Sequence, residues 1–276
     1  MKVTLYDHAD KFLEDNREFI YKNSLVADLV YMNAHCSLST SEGFYGASVK
    51  NNDEVLLSIQ VGDFSRVHFS NYKDAKAMTD LLAESYIGNN QIPKSINGDT
   101  KTVQSMISSL KERGVTYTLH MELFKRKCTE LADIPILDLK VINTQDIDFD
   151  FTDYYIQFAT ECNVPFEIDT AKEKTDKLVE SGNFYALVKD TKVVTVAASN
   201  RKTVDGRAIN MVYTPPEYRG MGYSTCCVKQ LTKIILDECD YAFLYADKAN
   251  LISNHVYEKL GYRVFGEFSQ YNLVDA

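Results

Sequence analysis

Five prolines and twelve glycines in 276 residues leave no room for long disordered or low-complexity tracts. No uninterrupted apolar run approaches the roughly 20 residues that span a bilayer. The opening stretch, Met1-Lys-Val-Thr-Leu-Tyr-Asp-His8, has no apolar core of signal-peptide length. Together these absences predict a cytoplasmic protein that does not engage membranes. The six cysteines (Cys36, Cys128, Cys162, Cys226, Cys227, Cys239) show neither a CxxC pair nor Cys/His ligand spacing. They read as reduced core thiols, and no metal site is expected. Positive charge is also short. The balance is −9, with no basic stripe to offset it, which argues against nucleic acid as a partner. An acidic surface tilts the choice of small partners toward cations such as amines.

What is present is the composition of a globular protein, 45% hydrophobic and 25% charged, long enough for one large domain or two ordinary ones. Periodicity divides the chain near Pro135. Before it, Asp10 to Ile20 and Leu25 to Asn33 have helical spacing. Strand-like segments follow at Phe44 to Val49, Glu54 to Val61 and Arg66 to Ser70, the first two joined at Asn51-Asn52-Asp53. Lys73 to Ser85 and Lys101 to Arg113 are further helices, and Val115 to Phe124 alternates as a strand. After the boundary come a strand at Leu137 to Ile142, helices at Asp153 to Cys162 and Thr170 to Ser181, and a hairpin of Phe184 to Lys189 with Lys192 to Ala198 about Asp190-Thr191. The alternation of acid and apolar residues over Asp146 to Phe151 reads as a half-buried or edge strand. The fold class expected is therefore α/β or α+β, a mixed central sheet with flanking helices, preceded by a second α/β lobe. The domains are taken as 1–134 and 135–276, packed as lobes because Leu131 to Ile136 is no flexible linker.

The most specific stretch is Arg219-Gly220-Met221-Gly222-Tyr223-Ser224. The apolar, β-prone run Ala208 to Tyr213 leads into it, and Val228, Leu231, Ile234 and Ile235 follow at helical spacing. The glycines thus stand at a strand-to-helix turn, where backbone can approach a ligand closely. The first N–H groups of the new helix, the positive end of its dipole and Arg219 together suit phosphate oxygens. Downstream, Tyr241 to Ala246 is a short strand, Asn250 to Leu260 a helix stopped by Gly261, and Tyr262 to Phe268 a strand. Asn250 and Tyr257 lie about two turns apart on one helix face, whereas His255 lies off that face.

In these features the chain resembles the GCN5-related N-acetyltransferase (GNAT) superfamily. Its coenzyme A loop, Gln/Arg-x-x-Gly-x-Gly/Ala, is matched by Arg219, Gly222 and Ser224. Its helix Asn-x-x-Ala-x-x-x-Tyr-Glu-Lys-Leu-Gly-Tyr/Phe is matched by Asn250, Ser253, Tyr257, Glu258, Lys259, Leu260, Gly261 and Tyr262. Two small residues are replaced by serine, a minor change of volume. The likeness covers roughly Leu137 to Leu273. The first half carries only an echo, Ser109-Leu-Lys-Glu-Arg-Gly114 running into an aromatic strand, and reads as a degenerate second copy lacking the loop, or else as an ordinary helix-glycine-strand unit.

The resemblance implies an acetyl-CoA-dependent N-acetyltransferase of the acyl-CoA N-acyltransferase fold. Arg219 to Ser224 would cradle the pyrophosphate, with the Arg219 side chain at its outer edge. Val212, Tyr213 and Thr214 would pair with the pantetheine arm as a neighbouring strand does. Asn250 would contact coenzyme A, cap its helix, or both. Tyr257 falls in the family's general-acid place. A tyrosine of pKa near 10 stays protonated at neutral pH and can protonate a departing thiolate. Candidates for the base, Glu161 and Glu167, border the expected acceptor cleft, as do the aromatics Tyr154, Tyr155, Phe158 and Phe166. A relay through water is equally open. The acceptor would be a primary amine of a small molecule or peptide. A non-catalytic acyl-CoA sensor is the second class, though a mere binder needs no acid over the thiol. The acceptor's identity and the choice between monomer and homodimer stay open.

Overall fold

The computed structural model describes residues 1–39, 43–61, 64–70, 75–164 and 166–274. The first half runs β1 (Lys2–Tyr6), α1 (Ala9–Asp15), α2 (Arg17–Lys22), α3 (Asp28–Ser37), β2 (Phe44–Asn51), β3 (Glu54–Val61), β4 (Phe64–Ser70), α4 (Ala75–Gly88), β5 (Ser95–Asp99), α5 (Thr100–Lys111) and β6 (Tyr117–Cys128). The second runs β7 (Val141–Asn143), α6 (Thr152–Glu161), α7 (Ile168–Glu180), β8 (Phe184–Lys189), β9 (Lys192–Lys202), β10 (Gly206–Tyr213), α8 (Tyr223–Leu236), β11 (Tyr241–Asp247), α9 (Leu251–Lys259) and β12 (Arg263–Leu273). One order thus occurs twice: a strand, a group of helices, three strands, helix, strand, helix, strand. In both halves the third and fourth of these strands after the helices, β4 with β5 and β10 with β11, are parallel neighbours joined through a helix.

Two compact units result. The first comprises Met1–Phe124, Asp247–Ala249 and Gly266–Ala276, and the second Lys125–Ala246 and Asn250–Phe265. In the first, strands run in the order β1-β2-β3-β4-β5-β12; in the second, β6-β11-β10-β9-β8-β7. Each mixed sheet is covered by helices on both faces. The first unit packs Leu56, Met78, Leu82, Ile96 and Met106 on one side and Phe12, Ile20, Val30, Leu57 and Ile59 on the other. The second packs Ile209, Val228, Leu231, Leu244 and Leu260 beneath α8 and α9, and Phe184, Val196 and Met211 beneath α6 and α7. The expected class, mixed sheet with flanking helices, is the one observed. Among the described residues no helix is long and apolar enough to cross a membrane.

Several expectations change. The helix read over Asp10 to Ile20 is two, broken at Asn16, whose side-chain amide donates back to the Phe12 carbonyl at 2.8 Å. Lys73 lies outside the described residues, and the helix there is α4. No strand forms over Asp146 to Phe151. A 3-10 turn occupies Thr144–Asp146, and the aromatic rings that mimicked alternation pack edge-on instead, Phe151 on Phe184 at 5.4 Å and Phe149 on Tyr154 at 5.7 Å. The strand expected from Leu137 shrinks to Val141–Asn143, because the carbonyl of Leu139 accepts from Gln230 of α8 at 2.7 Å rather than from a strand. Strands β1 and β5 had no counterpart in the sequence reading.

Candidate active site

Strand β10 is paired with β9 along one edge, but with β11 only over Gly206–Ala208. Beyond Ala208 its second edge is open. The β9–β10 register slips twice, and Met211 takes φ +49°, a left-handed value rare outside glycine. The end of β10 is thereby turned away from β11. Thr195 of β9 anchors it, its hydroxyl meeting the Tyr213 carbonyl and the Thr214 hydroxyl, both at 2.8 Å. A cleft of about 320 Å³ opens here, walled by α6, the end of β10, the loop into α8, and α9.

The loop begins with a 3-10 turn at Pro216–Tyr218 and enters α8 through Gly220 at φ +75° and Gly222 at φ +80°. A Cβ at either glycine would meet nothing within 4 Å, so conformation rather than crowding demands glycine, and the concave side is open. Gly222 is the N-cap of α8 and has no side chain to bond the first-turn amides. Helix α9 differs: Asn250 Oδ1 accepts from the Ser253 amide at 3.0 Å. Among residues facing the cleft, the α8 end therefore offers uncapped N–H groups to an anion.

Arg219 is tied at several points. Its Nε donates to the Thr214 carbonyl at 2.8 Å, its guanidinium lies 5.8 Å from the Tyr213 ring centre, and its Nη2 donates to both carboxylate oxygens of Glu161 at 2.7 and 2.9 Å. Tyr213 in turn donates its hydroxyl to Gln157 Oε1 at 2.6 Å. Gln157 and Glu161 are four residues apart on α6, so one helix face holds both the end of β10 and the loop.

Tyr257 closes the inner end of the cleft. It is 8% exposed, packs edge-on against Tyr262 at 6.0 Å, and its hydroxyl makes no hydrogen bond among the described residues. Burial pushes its pKa above the ordinary tyrosine value, the neighbouring Cys162 thiol adds to the rise, and Arg126 opposes it. The hydroxyl therefore keeps its proton at neutral pH. Gly261 (φ +102°) ends the helix, its amide bonded to Glu258 and that of Tyr262 to Tyr257, which fixes the last turn carrying this ring.

Val212, Tyr213, Thr214, Arg219, Gly220, Gly222, Tyr223, Ser224, Asn250 and Tyr257 all line this one cleft. Met221 does not; its side chain is 54% exposed and only its backbone belongs to the loop. The Tyr213 and Tyr223 rings are core groups, so any ligand would meet mainly their backbone. Asn250 is the helix cap as well as a wall of the cleft. Arg219 faces a carboxylate where the outer edge of a phosphate had been expected. Phe158 of α6 and Cys162, the C-cap of that helix, which the sequence gave no reason to single out together, complete the wall with Tyr257. Glu167 is not part of it, and His255 is exposed. None of the cysteines is in a disulfide, and among the described residues no cluster of His, Cys, Asp or Glu is placed to hold a metal ion.

Residues 188–271, which include the loop, α8, β11 and α9, match the family model "FR47-like protein". No curated protein sequence matches the chain. Its structure is similar to an acetyltransferase of the GNAT family from Colwellia psychrerythraea, at 11% identity and TM-score 0.63, over 99% of this chain and 100% of that one. It is also similar to a tandem GNAT protein from the clavulanic acid biosynthesis pathway, at 10% identity and TM-score 0.55, with 98% of both chains covered. A GCN5-related N-acetyltransferase from Kribbella flavida matches at 12% identity and TM-score 0.52, over 91% of this chain and 96% of that one. The fold is that of the GNAT acetyltransferases, and the likeness to these proteins extends over both halves of the chain.

Proposed function

We propose that the second unit is an acetyl-CoA-dependent N-acetyltransferase that transfers the acetyl group to a primary amine of a small molecule or peptide by direct attack in a ternary complex. One observation carries the reading. A single cleft is lined by uncapped helix amides, an open strand edge, and a protonated tyrosine hydroxyl that makes no hydrogen bond among the described residues. An anionic headgroup, an amide-bearing arm and a thioester in sequence fit those three features in that order.

Acetyl-CoA would supply the activated acetyl group as a thioester. The amides of Gly220 to Ser224 would hold the pyrophosphate. The open edge of β10 at Val212 to Thr214 would pair with the arm and offer backbone donors to the carbonyl oxygen. Tyr257 would give its proton to the departing sulfur, and the proton that the attacking amine loses would return to it through water, so that amine and thioester leave as amide and free thiol. Phe158, Cys162 and their neighbours at the end of α6 would bring the amine within reach, so that positioning supplies much of the acceleration. Against the alternative of a sensor, the Tyr257 hydroxyl lines the cleft and makes no hydrogen bond among the described residues that would give it a structural role.

The test incubates the purified protein with acetyl-CoA and a panel of amines while following release of free thiol, with a thermal shift by coenzyme A in parallel. Stabilisation together with amine-dependent thiol release is expected. Stabilisation with no turnover on any amine would favour a sensor, and no stabilisation would overturn both.

A further inference from the structure

None of the six cysteines is in a disulfide, and among the described residues only Cys36 and Cys162 are exposed. Both stand at the C-terminal ends of helices, Cys36 in the last turn of α3 and Cys162 as the C-cap of α6. A helix C-terminus carries partial negative charge and does not favour a thiolate, so neither is activated by its own backbone. Position separates them: Cys162 lines the cleft with Gly220, Gly222 and Tyr257, and Cys36 does not. A second observation marks that cleft as a place for a ligand. The Tyr257 side chain is 8% exposed, and its hydroxyl makes no hydrogen bond among the described residues. Its pKa is raised by burial first and then by the Cys162 thiol, an electrostatic influence that acts at short range. Thiol and phenol thus border the same space.

On the acetyl-CoA reading Tyr257 meets the donor's sulfur, so the sulfur of a bound coenzyme A also comes to Cys162. We infer that Cys162 is a modification site, at which coenzyme A disulfide exchanges to leave one coenzyme A joined to the protein and the cleft filled. The inference rests on that reading and adds a redox switch to it. The Cys162 thiolate attacks the nearer sulfur of the bound disulfide. One S–S bond forms as the other breaks, and the second coenzyme A leaves as a thiolate that takes up the proton Cys162 gave to water. Cys162 is oxidised and the released coenzyme A reduced, with no net change in electrons. Because Cys162 is exposed as well as in the cleft, the departing half has a way out to solvent. A small thiol reverses the exchange. Since its backbone setting does not activate Cys162, selectivity comes from holding the disulfide against it, a gain in effective concentration.

Cys36 is the control within the same molecule. The reduced protein is treated with coenzyme A disulfide or with glutathione disulfide, and adduct formation at each cysteine is followed by peptide mass mapping. The ratio of the two rates cancels intrinsic reactivity, and at Cys162 it should exceed that at Cys36 by roughly tenfold or more. Desulfo-coenzyme A, which has the headgroup and arm but no sulfur, should slow the reaction at Cys162 and leave Cys36 unaffected. Protein carrying the adduct should no longer take up acetyl-CoA in a calorimetric titration, and should do so again after treatment with dithiothreitol. Equal ratios at the two cysteines, or no protection by desulfo-coenzyme A in a protein that coenzyme A stabilises, would overturn the inference and leave the acetyl-CoA reading standing. A protein that coenzyme A does not stabilise would overturn that reading first, and this inference with it.

Discussion

A phenol hydroxyl that lines a cleft and makes no hydrogen bond to protein among the described residues adds little to stability beyond the packing of its ring. Tyr257 is such a group, and replacing it separates function from folding. Tyr257→Phe deletes only the oxygen and leaves the ring packed on Tyr262. It should leave the urea midpoint unchanged or slightly raised and coenzyme A affinity near wild type. Loss of a positioned acid should lower kcat by about 10²–10⁴-fold. A fall in stability instead would mean that the hydroxyl is bonded and structural. The pH profile follows from the direction of the shift. The folded protein holds this proton more tightly than the unfolded chain, so the acid form persists through the ordinary tyrosine range near pH 10. The alkaline limb of kcat should therefore not fall through about pH 9 on account of Tyr257. By linkage, the stability this group contributes is complete below the unfolded value and declines as pH rises toward the folded one. That Tyr257 and Asn250 share one cleft was legible in the sequence from their seven-residue spacing, whereas the acid role expected of Tyr257 came from the family resemblance. The Arg219–Glu161 bond was not, because its partners are 58 residues apart and no periodicity connects them.

At the scale of elements, two glycines with positive φ separate two kinds of demand. At Gly220 a Cβ would meet open space, whereas at Gly261 it would stand 2.7 Å from the Glu130 carbonyl oxygen and 3.2 Å from the Ala132 amide, both backbone. Gly220→Ala should cost only the left-handed strain, about 1 kcal/mol, and should weaken coenzyme A binding. Gly261→Ala should cost more, roughly 2–4 kcal/mol, by adding a clash that no side-chain rotation relieves. Urea unfolding of both variants checks the order, and equal costs would contradict it. Sequence reading found both glycines because strand–glycine–helix and helix–glycine–strand boundaries are local. It missed β5, whose Ser-Ile-Asn-Gly-Asp is polar and carries three poor strand formers; that segment is a strand because β4 and β12 pair with it on either side. It mistook Asp146 to Phe151 for a strand because period-2 alternation cannot distinguish a sheet face from aromatic rings packed at a helix entrance.

For the whole molecule, the sequence boundary near Pro135 and the boundary of the compact units are different lines. The repeated element order divides the chain between β6 and β7, where composition also places the break. Each unit, however, takes a strand from across that division. The first unit uses β12 from Gly266 onward, five of whose residues pair with β5 and whose Tyr271 and Leu273 pack on its core. The second unit uses the end of β6 from Lys125, including the buried Cys128, and the following segment, where the Ala132 amide bonds to the Leu260 carbonyl at 3.1 Å. A cut at 134/135 therefore removes one strand from each sheet and bares an edge on both fragments. Each well-buried side chain lost is worth roughly 1.5–3 kcal/mol, against a total domain stability of about 5–15 kcal/mol. Two or three such losses, with the strand's hydrogen bonds, remove most of what holds either fragment. We therefore expect residues 1–134 and 135–276, expressed separately, to show no cooperative thermal transition. Mixed or co-expressed, they should recover a single melt that coenzyme A raises. A 135–276 fragment that melts cooperatively and binds coenzyme A alone would show that the glycine loop and cleft need no strand from the first half, and that the units are separable where the sequence divides.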